Sequence, residues 1–474
     1  MVLRTSIDLY LYSKIFIMRF SYLTFCLLLL FSCTKRESTS SDTYKQSESL
    51  AFLDSLSHRT FNFFWDLADS TTGNQPDRWP TESFSSIAAT GFGLTTYLIG
   101  VENHYITRQQ AAERVLKTFQ FFNNSPKGDQ PAGVTGYKGF FYHFIDMKTG
   151  LRFREVELST IDTGLLMAGI LSCQSYFDAD TKIENEIRAL ADSLYLAVEW
   201  DWAMNEKKTM SMGWHPERGF LDASWQGYNE GMILYILGLG SPTHHIADSS
   251  WIAWTKTYQW GNYLGYEHVN FGPLFGHQYS HLFIDFKGIQ DEYMKEKGID
   301  YFENSRRATL ANRQYCILNP VGWIGYGENI WGLTACDGPG GRNKSNPNIG
   351  FMGYNARGAA QWYANDDGTI TPTAAGGSIP FAPEVCIPAL EAMQIKYGDK
   401  IYDRYGFKDA FNLSINYKDG TQGWVDKDYL GLDQGPIVIQ IANYKNNFVG
   451  NLMKKNKYII NGLKKAGFKG GWID

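Results

Sequence analysis

From about Leu50 to the carboxyl end, apolar residues recur at steps of three to five, the spacing of one helix face. Leu50–Leu67 carries Leu53, Leu56, Phe61 and Phe64 in this way. Similar periodicity predicts helices over Ile87–Leu98, Thr107–Phe122, Thr160–Phe177, Lys182–Trp202, Gly231–Leu239, Ser305–Leu318, Pro383–Tyr397, Gly435–Tyr444 and Phe448–Ala466. Short β pieces are expected at Phe140–Phe153, turning at Lys148-Thr149-Gly150, and around Phe220–Trp225. Helices without alternating strands argue against a parallel-sheet α/β fold. Paired in order, they suit an all-α (α/α)6 toroid with long active-site loops and short β-hairpins. The Gly- and Asn-rich stretch Trp323–Gly353 exceeds the usual loop length and reads as a functional rim.

The amino terminus breaks the pattern. Phe20–Ser32 is a thirteen-residue apolar run led by Arg19 and followed by Cys33, too short for a comfortable membrane span. Leu30-Phe31-Ser32-Cys33 resembles a bacterial lipobox, so residues 1–33 are expected to be a lipoprotein signal region with lipidation at Cys33. Met18 is a more natural start than Met1. Residues 34–49 are polar and aperiodic, the composition of a flexible tether, and 50–474 form the folded domain. The expectation is an exported protein on the periplasmic side or the cell surface, held to a membrane by its lipid.

Composition changes this picture modestly. With 44 Lys+Arg against 49 Asp+Glu there is no basic field for a nucleic-acid partner. Fourteen Trp, 29 Tyr and 30 Phe suit stacking on sugars as well as an ordinary large core. Cys173, Cys316, Cys336 and Cys386 form no CxxC or compact ligand cluster, so they read as buried small residues, with a disulfide permitted by export. No phosphate loop, nucleophile elbow or dinucleotide fingerprint occurs in a suitable context. Hydrolysis without a cofactor or a metal is the simplest remaining chemistry.

Three acids lie at or just before helix starts: Asp162 in Ser159-Thr160-Ile161-Asp162, Glu230 in Gly227-Tyr228-Asn229-Glu230, and Asp433 in Leu432-Asp433-Gln434-Gly435-Pro436. Each has a structural reading, as a capping box for Asp162 or a favourable helix-dipole charge for Glu230. In a toroid, however, inner-helix starts gather around one cavity, and glycoside hydrolysis needs one carboxyl to protonate the leaving oxygen and another to activate water. Trp225, Tyr228, Trp323, Trp331 and Trp424 offer stacking surfaces nearby in sequence. His277 and His281, four apart, share a helix face, but no third ligand or HExxH motif accompanies them, and sugar contacts or structural hydrogen bonds fit better than metal. Arg306 and Arg307 could bring guanidinium forks to carboxylates or hydroxyls, or form a solvated helix start.

The strings GFFYHFID (Gly139–Asp146), ELSTIDTGLL (Glu157–Leu166) and WQGYNEGMILYILGLGSPTH (Trp225–His244) resemble the bacterial glycoamylase-like family. So do FGPLFGHQYSHLFIDF, ENSRRATLANRQYCILNP, GYGENIWGLTACDGP, GTITPTAAGGSIPFAPEV and YLGLDQGPIV, and the match runs from about Ala51 to Gly450. The resemblance implies endo-β-1,2-glucanase activity of glycoside hydrolase family 144, with an (α/α)6 barrel and inversion at the anomeric carbon. It implies Glu230 as general acid, and Asp433 ahead of Asp162 as base. Trp225, Tyr228, His277, His281, Arg307, Trp331 and Glu384 are the implied substrate contacts. The chain departs from the family pattern at Ala442-Asn443-Tyr444, where Glu-Asn-Tyr is usual, and at His244-His245, where His-Pro follows SPT. An exo-acting β-glucosidase or glucoamylase-like enzyme on the same barrel, and a non-catalytic glycan-binding surface lipoprotein, are the competing readings. The retained acids count against the second.

Overall fold

The computed structural model describes residues 47–344, 346–417 and 419–474. The signal-region and tether expectations, Cys33 included, lie outside the described residues, save for the last few tether positions. The chain divides into two compact units, Met1–Ser55 and Leu56–Asp474, and the second carries everything that follows. No helix among the described residues is long and apolar enough to cross a membrane.

Six helices share a character that sets them apart: α1 (Ile87–Glu102), α2 (Thr160–Tyr176), α3 (Met232–Gly240), α4 (Phe275–Phe283), α5 (Pro372–Gly376) and α6 (Gly431–Asn446). The first three are buried almost all round, as an interior helix must be when it has no polar face to show to water. By contrast Arg108–Asn124 buries one stripe, Ala111, Ala112, Val115, Thr118, Phe119 and Phe122, and packs on the equally one-sided Lys182–Leu196. Helix α1 packs on α2 and α6, α2 on α3, α3 on α4, and α6 on α4 and α5. Gln278 of α4 donates to the Ala374 carbonyl of α5 at 2.9 Å. Lys457–Lys465 covers α3, Tyr301–Leu318 covers α4, and Pro383–Ile401 covers α5.

Helices α1 and α2 approach each other main chain to main chain. A Cβ on Gly91 would lie 2.5 Å from the Leu165 carbonyl oxygen, and one on Gly169 would run into the backbone of Gly91. Backbone meets backbone there, which only glycine permits.

Short antiparallel strands deliver the chain into these helices. Leu158–Ser159 pairs with Phe140–Tyr142 on one side and Gly213–His215 on the other, in a five-stranded sheet that ends at Gly219–Phe220. Ser159, leaving that sheet, accepts from the Asp162 N–H at 3.2 Å and caps α2. Ser85–Ser86 pairs with Phe144–Ile145, and Ser86 caps α1. Tyr429–Leu430 pairs with Arg78–Trp79 just before α6.

The differences from the sequence expectations have local causes. Lys182–Trp202 stops at Leu196, and a separate 3-10 turn covers Trp202–Met204. Phe448–Ala466 is two helices, because Asn456 accepts from the Tyr458 and Ile459 N–H groups and starts a new one. Helix α6 begins at Gly431, so Asp433 lies in its first turn and Pro436 inside it. Pro436 has no N–H for the Leu432 carbonyl; the Tyr279 hydroxyl donates to that carbonyl instead, at 3.3 Å. The four described cysteines are free and buried.

Candidate active site

Glu230 precedes α3 by two residues, Asp162 is in the first turn of α2, and Asp433 is in the first turn of α6. Tyr279 of α4 ties them together, since the charges of Asp433, Glu230 and Asp162 all act on its buried hydroxyl. The Ser280 hydroxyl donates to the Glu230 carbonyl at 3.2 Å and accepts from the Ile233 N–H at 3.0 Å, which fixes the turn that carries Glu230. The Glu230 side chain is largely buried and its Oε2 has no hydrogen-bond partner. Burial pushes this carboxyl up to about 7; a backbone hydrogen bond opposes the shift and the charge of Asp162 adds to it. A carboxyl in such surroundings keeps its proton near neutrality.

Asp162 is more heavily engaged. The Ser159 hydroxyl donates to its Oδ2 at 2.5 Å, and His143 Nε2 stands 3.6 Å from its Oδ1. The other ring nitrogen of His143 meets Glu157 Oε1 at 2.7 Å. Burial works against an imidazolium here, but Asp162 and Glu157 outweigh it and hold His143 up at about 9. Burial raises the Asp162 carboxyl, against the pull of His143 and Ser159.

Asp433 sits among carboxylates. Burial and Asp433 keep the Asp409 carboxyl well above the usual range, while the hydrogen bond from Asp409 eases the upward push of burial on Asp433. Asp77 and Asp337 lie close enough to raise Asp433 further. Arg78 bridges those two, with Nε 3.0 Å from Asp77 and Nη1 2.5 Å from Asp337. The Asp433 carbonyl accepts from the Thr373 hydroxyl at 2.9 Å, which joins α5 to the first turn of α6.

Two openings lie nearby, and none of the three acids is in the lining of either. One, of about 690 Å3, is lined by Gln226, Tyr228, Asn270, Phe271, Trp362 and Tyr363 among others, beside the turn that carries Glu230. The other, of about 1010 Å3, has Arg78, Thr81, Phe84, Phe153 and Arg154 in its wall. Trp362 and Tyr363, both half exposed, line the first. The loop between the Ala335–Cys336 strand and α5 is pinned by a buried ion pair, Arg357 Nε to Asp367 Oδ1 at 2.7 Å, and Arg357 also donates to the Cys336 and Met352 carbonyls.

The remaining sequence candidates scatter. Trp225 is buried and donates to the Thr160 hydroxyl at 3.0 Å, bracing the Glu230 turn against α2. Tyr228 is stacked on Tyr301 and tilted against His277, and Trp331 is fully buried and in the lining of neither opening. His277 is buried against the Phe271 carbonyl at 3.1 Å. His281 lines a separate cavity of about 810 Å3, with Asp285, Gln440 and Asn447, at the C-terminal ends of α4 and α6. Arg307 is paired with Glu303 on its own helix at 2.8 Å, and Glu384 with Arg306 at 2.5 Å. His143, Asp409, Trp362 and Tyr363 were not singled out from sequence. His143 lies within the GFFYHFID string, a signal that could have found it; Asp409 stands alone with no motif around it.

The Glycoamylase family model, described as "Putative glucoamylase", matches residues 222–457. A crystal structure of a "putative glucoamylase" from Bacteroides uniformis is 31% identical, with 90% of this chain and 98% of that one covered and a TM-score of 0.77. The endo-β-1,2-glucanase of Chitinophaga pinensis, solved with sophorotriose and glucose, is 29% identical over 90% of this chain and 99% of its own, with a TM-score of 0.75. The exo β-1,2-glucooligosaccharide sophorohydrolase of Parabacteroides distasonis is 29% identical over 463 residues; the match takes in 90% of this chain but only 59% of that protein's length.

Proposed function

Since the chain belongs to the glycoamylase-like family, we propose that it is a glycoside hydrolase that cuts β-1,2-linked glucan into short sophoro-oligosaccharides. The observation that carries this reading is the Glu230 carboxyl, its Oε2 buried without a partner among the described residues, and holding its proton to about 7. The names of the Chitinophaga and Parabacteroides relatives supply the linkage. Glu230 gives its proton to the glycosidic oxygen as the bond to the anomeric carbon breaks. Asp433 takes a proton from the water that attacks that carbon from the other face. Asp433 is preferred to Asp162 as base because both Asp162 oxygens are already engaged, by Ser159 and His143. Asp162 then serves by its charge, which favours the protonated form of Glu230.

The helices α1–α6 are read as the inner ring of an (α/α)6 toroid, supported by their successive packing and by the one-sided helices outside them. Inversion is the outcome that the family resemblance implies, and it needs a carboxyl separation wide enough for a water, whereas a retaining pair stands only about 5–5.5 Å apart. The deciding experiment is product analysis on a panel of β-linked glucans and starch, with the anomer followed by proton NMR. A ladder of sophoro-oligosaccharides released as the α-anomer is expected. Sophorose alone would favour the exo mode named for the Parabacteroides relative, and cleavage of starch but not β-1,2-glucan would overturn the substrate.

The lipobox supports export and anchoring through Cys33. Cys33→Ala should abolish lipid labelling and release the protein from membranes, as read by fractionation.

A further inference from the structure

Asp337, Asp409 and Asp426 come from three separate stretches. Asp337 follows the Ala335–Cys336 strand, Asp409 lies between Gly406–Phe407 and Phe411–Asn416, and Asp426 ends the Gln422–Val425 strand. One carboxylate oxygen from each lies within 4.8 Å of the other two. Two ligands of one Ca2+ at about 2.4 Å can stand at most about 4.8 Å apart, so the three oxygens lie within the span of a single coordination shell.

The two deeper acids are only 1% and 6% exposed, and each is aimed by a backbone N–H on one oxygen alone. Asp409 Oδ2 accepts from the Asp337 N–H at 2.7 Å, and Asp426 Oδ1 from the Asp428 N–H at 3.0 Å. Asp409 Oδ1 and Asp426 Oδ2 are left buried with no N–H or hydroxyl donor. Buried carboxylate oxygens without donors are costly unless something positive meets them. The nearby guanidinium, Arg78, reaches Asp337 but is shared with Asp77. With all three acids ionised, as ligands must be, that one shared guanidinium leaves the spot negative by more than one unit.

We propose that Asp337, Asp409 and Asp426 bind a hard divalent cation of the Ca2+ class. Asp337 is the least buried of the three, and its open side leaves space for the waters that complete such a shell. The ion ties the Ala335–Cys336 segment to the Phe411–Asn416 and Gln422–Val425 hairpin and holds Asp409 where it faces Asp433. It acts as a fastener of the loops and is not part of the hydrolytic step.

The test uses the full chain stripped with EDTA, then titrated with CaCl2 by isothermal calorimetry and by thermal melting, neither of which depends on hydrolysis. The expected result is a saturable heat and a rise in Tm of a few degrees, both reversed by EDTA. Asp426→Asn, nearly isosteric, should abolish both, and the more exposed Asp337→Asn should weaken them at least tenfold. Absence of heat and of any Tm shift at millimolar Ca2+ would overturn the site and leave shared protons as the neutralising charge. An unchanged response in both variants would overturn it equally, by placing the ion elsewhere.

Discussion

The Glu230 side and the Asp433 side of the site reach the same range in different company. Both carboxyls are pushed up to about 7, and burial is the first cause in each. Glu230 has little charge around it beyond a smaller push from Asp162, and its Oε2 is left without a partner among the described residues. Asp433 stands near Asp337 and Asp77, which add to the push, while a hydrogen bond from Asp409 and the charge of Arg78 ease it. A lone buried carboxyl answers mainly to burial, whereas one in a cluster also answers to the charge state of its neighbours.

The strongest way to break the contrast is Glu230→Gln, which keeps the shape and removes the proton donor. Turnover should fall by about 10²–10⁴-fold, while glucan binding, read by calorimetry, persists. A folded variant with near-native turnover would end the scheme. Next in size is the contrast between Asp433→Asn and Asp162→Asn. The first should lose turnover in the same range, about 10²–10⁴-fold, with binding kept. The second should lose only about tenfold or less, since it removes a charge that acts through Glu230 and not a proton acceptor; the reverse order in single-turnover assays would exchange the two roles.

Finer tests read pH. Glu230 must be protonated and Asp433 ionised, and both carboxyls are pushed up to about 7, so kcat/KM should trace a narrow bell near pH 7, with Glu230 setting the falling limb. Asp162→Asn removes a charge that raises Glu230, and the falling limb should move down by under about one unit. The smallest effect is on stability. Glu230 stays neutral in the folded chain up to about 7, against 4.5 for the free side chain, so the stability it confers below 4.5 is lost as pH rises through 7. Glu230→Gln should therefore melt higher than the parent at pH 8, by about 1 kcal/mol after allowance for solvent screening.

Much of the helical frame was legible, because the outer helices keep a 3.6-residue apolar stripe and the interior ones are long apolar runs. IAATGFGLTTYLIGVE is apolar nearly all round, whereas RQQAAERVLKTFQFFNN shows one stripe, and the structure buries them accordingly. Helix α4 was harder to read. Its His277, Gln278, Ser280 and His281 are buried polar residues satisfied by partners from distant segments, so the hydrophobic pattern fades there. The acids could be picked out by their place at helix starts. Their surroundings could not: His143 reaches Asp162 from a neighbouring strand, and Asp409 reaches Asp433 across a hairpin, with no spacing rule connecting either pair. Trp331 shows the converse, since an aromatic in a Gly-rich stretch looks available for stacking until burial is known.

The crossing of α1 and α2 acts as a gauge block. Where two helices touch main chain to main chain, as at Gly91 and Gly169, there is no side-chain shim to compress or swap, so the separation is a machined dimension. Helix α1 carries none of the three acids, yet it is the common datum for the helix bearing Asp162 and the helix bearing Asp433. A methyl group inserted at either glycine would throw the two carboxyls out of mutual alignment from well inside the protein, and a misplacement of only about 1 Å can cost on the order of 10²-fold in rate.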